Sequence, residues 1–304
     1  MADGRLLLVG GSGYFGARLA EALAEEWDVA VTVRSDTPAR AAWLADSGIA
    51  SFRYDSSIDA ALPGGDYAAI VNLAMPGAQA AGKDAEAAMA QGLSVADACI
   101  TALREGRAGR LIHFSTFHVY GGEAAALYTE DMPKAPGHPY GRTHLAIEEH
   151  LLGSDVAGRI AILRPTNMVG TPAHRDLGEQ AGLIFLDLCR QIAGSGAMVL
   201  RNDGRSYRDI LPFGDAIAAV DLLLRATSGW NDIFNLGAGE AVTMRALAET
   251  IAAAAPRPVA ITYGDGTDAF RSPFRVDISR LSALGWSPSA SIADEARRTI
   301  AAFA

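Results

Sequence analysis

Residues 5–18 read Arg5-Leu6-Leu7-Leu8-Val9-Gly10-Gly11-Ser12-Gly13-Tyr14-Phe15-Gly16-Ala17-Arg18. A short apolar run, 6–9, precedes glycines at 10, 13 and 16, and a helical apolar period follows. A strand that turns on glycine into a helix N-terminus aims backbone N–H groups at one point, with the positive end of the helix dipole behind them. Any Cβ in such a turn keeps a pyrophosphate from approaching the backbone. Glycines also serve ordinary turns. With a strand before and a helix after, in a chain that goes on alternating the two, the pattern is that of a dinucleotide-binding loop. Gly10, Gly13 and Gly16, with Ser12, Tyr14 and Phe15 between them, are expected to meet the cofactor.

Outward from the loop, strand-like runs at 29–33, 51–53, 68–73, 111–115 and 160–163 alternate with helical patterns at 17–26, 38–47, 85–104 and 140–152. That rhythm predicts an α/β fold built on a doubly wound parallel sheet of the Rossmann type. After Pro165 the rhythm breaks. Helices are expected at 183–193, 215–226, 243–255 (Thr243 as N-cap) and 292–303, with short strands at 198–200, 207–211 and 233–236. Two lobes follow: a dinucleotide-binding domain of 1–165 plus 209–234, and a smaller, discontinuous α+β substrate lobe of 166–208 plus 235–304.

A chain of 304 residues, half of them apolar, has the length for a large core. Twenty-six basic against 35 acidic side chains give a net charge of −9, which argues against a nucleic-acid surface or an anionic membrane. Cys99 and Cys189 lie far apart in helical apolar patterns and read as buried free thiols of a reducing compartment. No apolar run approaches the ~20 residues of a membrane span, and the N-terminus enters a strand without a signal peptide, so a cytoplasmic location is expected. The histidines do not sit among cysteines or carboxylates at ligand spacing, and no metal is expected.

Arg34 closes the second strand. An acid at that place grips the 2′-hydroxyl of NAD, whereas a basic residue accommodates the 2′-phosphate of NADP. Val33-Arg34-Ser35 has no acid at the strand end, so NADP is expected, with NAD as the alternative. Asp55, next to Ser56, is placed to accept from an adenine amino group or to form an Asx turn. The strand around 111–115 delivers the Thr116 hydroxyl to the carboxyl edge of the sheet, where open α/β folds bind ligands. Tyr140 starts a helix and His144 lies one turn on, on the same face. A tyrosine beside a donor and a hydroxyl is a proton-transfer set, provided something lowers its pKa from about 10. His118, at the strand end, is structural or protonates a substrate. His113, in mid-strand, reads as a satisfied core histidine, and Glu148 with Glu149 as a solvated helix face.

Together these motifs resemble the extended short-chain dehydrogenase/reductase superfamily, the NAD(P)-dependent epimerase/dehydratase/ketoreductase group that acts on nucleotide sugars. Val9 stands where the opening Thr-Gly-x-x-Gly-x-x-Gly has threonine. Leu73-Ala74-Met75 is similar to Leu-Ala-Ala, Gln91 takes the place of a long-helix asparagine, and Thr116 precedes an intact Val119-Tyr120-Gly121. Arg164-Pro165-Thr166-Asn167-Met168-Val169-Gly170, Arg208-Asp209-Ile210-Leu211-Pro212 and Leu284-Gly285-Trp286-Ser287-Pro288 match later segments. The resemblance implies cofactor contacts at Leu73, Ala74, Met75, Gln91, Tyr140, His144 and Pro165. It implies substrate contacts at Thr116, His118, Asn167 and Arg208, and at Arg271 (or Arg275) by looser analogy.

The departure is in Tyr-x-x-x-Lys, which reads Tyr140-Gly141-Arg142-Thr143-His144. In the family the lysine holds the nicotinamide ribose and lowers the tyrosine pKa by its charge. Histidine, with a reference pKa of about 6.5, is mostly neutral at pH 7. Either His144 is a working substitute, a charged form making reduction fall as pH rises through its pKa, or the redox chemistry is lost. His118 lies where sugar 4,6-dehydratases carry an acid, so dehydration lacks its carboxylate. The resemblance implies NADP(H)-dependent reduction of a nucleotide-linked keto-deoxysugar, with Tyr140 as proton donor and a homodimeric assembly. Its alternatives are a nucleotide-sugar epimerase with tightly held NAD(P) and a non-catalytic NAD(P)-binding sensor.

Overall fold

Strands that are apolar on both sides must be covered on both faces, which a parallel sheet with flanking helices achieves. The computed structural model describes residues 4–59, 61–121, 125–177, 182–267 and 270–304. In it β1 (Arg5–Val9), β2 (Asp28–Val33), β3 (Ala50–Arg53), β4 (Tyr67–Asn72) and β5 (Ala108–Phe114) are joined by the strands Ile160–Pro165 and Asp232–Leu236. All seven run parallel, in the order Asp232–Leu236, Ile160–Pro165, β5, β4, β1, β2, β3. Leu6 and Leu8 of β1 enter one core, with helix α1 (Tyr14–Leu23) and the helix Phe213–Arg225. Leu7 and Val9 enter the other, with α4 (Ala85–Arg104) and α5 (Pro139–Leu152). Each of these fully buried side chains contributes roughly 1.5–3 kcal/mol. Two further helices, α2 (Pro38–Ser47) and α3 (Ala78–Lys83), complete the first half.

Strand order reverses between β1 and β4, so their carboxyl ends flank a crevice, and ligands of open α/β sheets bind there. α1 starts three residues ahead of the expected 17–26, because Gly13 itself takes the cap position in extended conformation (φ −80°). The first helical N–H groups therefore emerge straight from the glycine loop. Thr243 caps its helix as expected, accepting from Ala246 N at 3.1 Å.

The remaining strands form small sheets: Asn167–Val169, Tyr207–Pro212 and Ala241–Thr243 in one, Ala197–Asn202 with Ala260–Gly266 in a second, and Leu127–Tyr128 with Arg275–Val276 in a third. Tyr207–Pro212 crosses the boundary expected at 209 and pairs throughout with the small sheet, whereas the helix that follows packs on α1. Both cysteines are buried free thiols. Among the described residues no helix is long and apolar enough to cross a membrane.

Candidate active site

Gly10 leaves β1 at φ +77°, and a Cβ there would lie 2.9 Å from Ala74 N; at Gly16 a Cβ would lie 2.8 Å from Gly11 Cα. Both contacts are with backbone, so neither position has room for a side chain. Gly13 caps α1 without a side-chain hydrogen bond, which leaves the first-turn N–H groups open to an anion. The loop is tied to β2: Gly10 N donates to Thr32 Oγ1 (2.8 Å) and Ser12 Oγ to Thr32 O (3.2 Å). The side chains of Tyr14 and Phe15 turn inward. The Tyr14 hydroxyl exchanges hydrogen bonds with Gly170 O and N (2.5 and 3.2 Å), and Phe15 packs on Phe114 and Phe213. These two residues offer a phosphate their backbone only.

Across the crevice, Leu73 N donates to Val9 O (2.8 Å) and Ala74 N to Asn72 Oδ1 (3.0 Å), which presents Leu73–Met75 beside the glycine loop. Gln91 sits half-buried on α4. Arg34 is exposed just past β2, and the nearest acid in sequence, Asp36, is 3.7 Å from Arg53. Asp55 forms the Asx turn: Oδ1 accepts from Ser57 N (3.0 Å) and Ser57 Oγ (2.7 Å). Those bonds, helped by Arg34 and Arg53, hold its carboxyl below the usual range. The carbonyl of Ser56 accepts from Ser94 Oγ of α4 at 3.2 Å.

Thr116 follows β5 and caps the short turn Phe117–Tyr120, accepting from His118 N at 3.3 Å. Its side chain also lies near the Tyr140 phenol and favours the ionised form of that group. Burial pushes the Tyr140 phenol above its ordinary value, and nearby Thr116 offsets part of that rise. One turn along α5 the His144 ring meets Tyr140 edge-on, with ring centroids 4.5 Å apart. His144 is 2% exposed, and neither ring nitrogen has a partner among the described residues. Burial, reinforced by His113 and His118, pushes it down to about 3. A ring so far from water stays neutral, so the charged substitute considered from the sequence is not what the fold provides.

His113 is only half satisfied, which corrects the reading of a satisfied core histidine. Asn72 Oδ1 is taken by Ala74 N, so its amide NH2 faces His113 Nδ1 at 3.1 Å. Nδ1 must therefore accept, and the proton resides on Nε2, which is buried without a partner among the described residues. Burial pushes His113 down to about 3. Ser115 Oγ and Thr143 Oγ1 are likewise buried with no partner among the described residues. Buried polar atoms seldom stay unpaired. Orphans at the end of β5 and the start of α5, with the glycine cradle across the crevice, fit the hydroxyls of a dinucleotide ribose.

Glu148 also departs from expectation. It is not on a solvated face but forms a buried two-pronged pair with Arg164 (2.9 and 2.6 Å). Arg164 Nη1 donates to the Tyr120 hydroxyl (3.0 Å), which in turn donates to Asn235 Oδ1. Glu149 is exposed, as expected.

A cleft of about 60 Å³ opens beyond Thr116, bordered by Phe117, His118, Pro165, Asn167, Arg208 and Phe274 among others. Asn167 Nδ2 donates to Asp209 O (2.9 Å), and the Arg208 guanidinium lies over the Phe270 ring at 5.4 Å. Asp209 anchors this wall by accepting from Thr166 Oγ1 (2.7 Å), Ala238 N (2.8 Å) and Gly239 N (2.9 Å). Arg271 grips Asp203 with both prongs (2.8 Å each), and Arg275 is 3.9 Å from Glu240. A larger cavity, about 560 Å³ between α1 and α2, contains none of the residues singled out above. No group of histidine, cysteine and carboxylate among the described residues could hold a metal ion. Asn72 and His138, which caps α5, escaped the sequence reading. The Pro139 that starts the helix was the available signal for the cap.

Residues 6–237 match the model of the NAD dependent epimerase/dehydratase family. The chain is 32% identical to a dTDP-6-deoxy-L-talose 4-dehydrogenase (NAD(P)(+)) of Kitasatospora kifunensis, over 62% of its own length and 61%, less than two thirds, of that relative's. It is 26% identical to a UDP-glucose 4-epimerase of Corynebacterium glutamicum, over 93% of this chain and 91% of the other. Among solved structures, a UDP-N-acetylglucosamine 4-epimerase from Methanobrevibacter ruminantium in complex with UDP-N-acetylmuramic acid has a TM-score of 0.85. It covers 100% of this chain and 99% of that one at 18% identity, a likeness of fold.

Proposed function

The chain belongs to the NAD dependent epimerase/dehydratase family, and from that membership we propose that it is an NADP(H)-dependent ketoreductase acting on a nucleotide-linked keto-deoxysugar. The observation that carries this reading is a half-buried phenol with no charge acting on it: Tyr140, near Thr116 and held above its ordinary pKa by loss of water around it. Reduction of a ketone needs an acid at this place, whereas oxidation of an alcohol needs a base. Epimerisation begins by taking a proton from a substrate hydroxyl, so it needs the phenolate first. Without a neighbouring cation that form is costly, which favours reduction over the epimerase alternative.

The nicotinamide, when bound, would supply the hydride. Tyr140 donates its proton to the developing alkoxide, and Thr116 hydrogen-bonds the same oxygen. Asn167 and Arg208 hold the substrate, Arg208 through charge-assisted bonds to phosphate. His144, standing where the resemblance puts lysine, takes a ribose hydroxyl as a neutral partner. Arg34 takes the 2′-phosphate. The Kitasatospora relative supports both the carbonyl/alcohol interconversion and the use of either dinucleotide.

The test follows NADPH oxidation with a panel of nucleotide-linked keto-sugars. Turnover by the wild type that falls at least ~100-fold in Tyr140→Phe supports the reading. Equal turnover in both removes Tyr140 from the chemistry. NADPH binding without turnover on any panel member leaves the sensor alternative.

A further inference from the structure

Helix α5 starts with a histidine in the cap position. His138 Nδ1 accepts a hydrogen bond from Gly141 N at 3.2 Å, with Pro139 as the first helical residue. A ring nitrogen that accepts a backbone N–H carries no proton, so the proton of His138 resides on Nε2. That nitrogen lies 3.3 Å from His118 Nδ1, and the two rings meet edge-on with centroids 5.1 Å apart. Nε2–H of His138 donates, His118 Nδ1 accepts, and the His118 proton is left on its own Nε2.

The His118 ring borders the substrate cleft, with its centroid 5.8 Å from that of Tyr140. The groups facing it are His138, Tyr140 and Arg208. Although His118 is exposed, loss of water on its packed side, with His138 and Arg208 nearby, pushes it down to about 4. At neutral pH it is an uncharged ring with one N–H.

We infer that His138 is a positioning residue: the cap of α5 fixes the tautomer of His118, so that His118 presents Nε2–H to the substrate. This rests on the proposed reductase site. It narrows the substrate to one with an acceptor oxygen (hydroxyl, ether or second carbonyl) beside the reacting ketone. An analogue lacking that oxygen leaves the N–H unpaired and should lose tenfold or more in kcat/KM, since sites built to hydrogen-bond a substrate reject analogues that cannot reply.

The experiment is long-range ¹H–¹⁵N correlation of the histidine rings in the cofactor-free protein, for the wild type and His138→Ser. Serine still caps the helix but is too short to reach His118. In the wild type, His118 should show a protonated Nε2 and an unprotonated, hydrogen-bonded Nδ1. In His138→Ser, with an unchanged melting temperature, its nitrogens should move to averaged positions between tautomers, and KM for the keto-sugar should rise severalfold at unchanged kcat. A wild-type proton on Nδ1, or a His118 spectrum that ignores the substitution, overturns the inference. The spectra need no turnover, so an inactive wild type would sink the reductase reading while the tautomer result stood or fell by itself.

Discussion

Two neutral histidines sealed inside the fold should make this protein sensitive to mild acid. His113 is 0% and His144 2% exposed, and burial holds both at about 3. In the unfolded chain each returns to about 6.5. Between those values the unfolded state binds protons that the folded state refuses, so stability falls as pH drops below 6.5 and is fully present above it. One pH unit corresponds to about 1.4 kcal/mol per ring, so going from pH 7 to pH 5 costs about 2 kcal/mol for each and about 4 kcal/mol together. That is a large part of a typical stability of roughly 5–15 kcal/mol. Asp209 and Glu130, pushed up by burial, take up protons in the folded state and oppose part of this fall, while the remaining carboxylates titrate mostly below pH 4.5. Urea unfolding of the cofactor-free protein, followed by tryptophan fluorescence at pH 7, 6 and 5, measures the slope. His113→Asn and His144→Gln should each flatten it by about one proton, whatever they do to stability at pH 7. A stability that holds or rises toward pH 5, or a slope neither substitution changes, would refute the reasoning.

Arg34→Ser should raise KM for NADPH roughly tenfold or more while leaving NADH nearly unaffected, because a charge-assisted bond to the 2′-phosphate is worth about 1.5–3 kcal/mol. An unchanged NADPH/NADH preference would remove Arg34 from the cofactor site. Glu148→Gln should cost about 3–5 kcal/mol by leaving Arg164 buried without its counter-charge. For a chain of this length that is a fall in melting temperature of roughly 5–8 °C. A shift under 1 °C would mean that the pair is not sealed from water.

Much of the architecture could be read from local pattern. The helices 38–47, 85–104 and 292–303 have the expected bounds because alanine-rich amphipathic runs with capping residues define themselves. The glycine loop was legible for the same reason: strand, turn and helix are contiguous. What escaped depends on partners distant in sequence. α3, Ala78–Lys83, is too short to show a period, and strands such as Asn167–Val169 exist through pairing with Tyr207–Pro212. Glu148 looked like half of a charged surface pair because its reason for burial, Arg164, lies on a strand further along the chain. Tyr140 and Thr116 could be proposed from their positions at a helix start and a strand end, and the fold places Thr116 near the Tyr140 phenol. The protonation states around them could not be read so, since they depend on which neighbours exclude water.

The pH dependence of NADPH-driven ketone reduction, measured as kcat/KM from pH 6 to pH 10.5, puts the protonated phenol to the most direct test. With no cation at Tyr140 and His144 already neutral, the rate should stay level through pH 9 and decline only where a phenol of raised pKa begins to ionise. A descending limb centred near pH 7, absent in His144→Gln, would mean that a charged imidazole works beside the tyrosine, and would contradict the account.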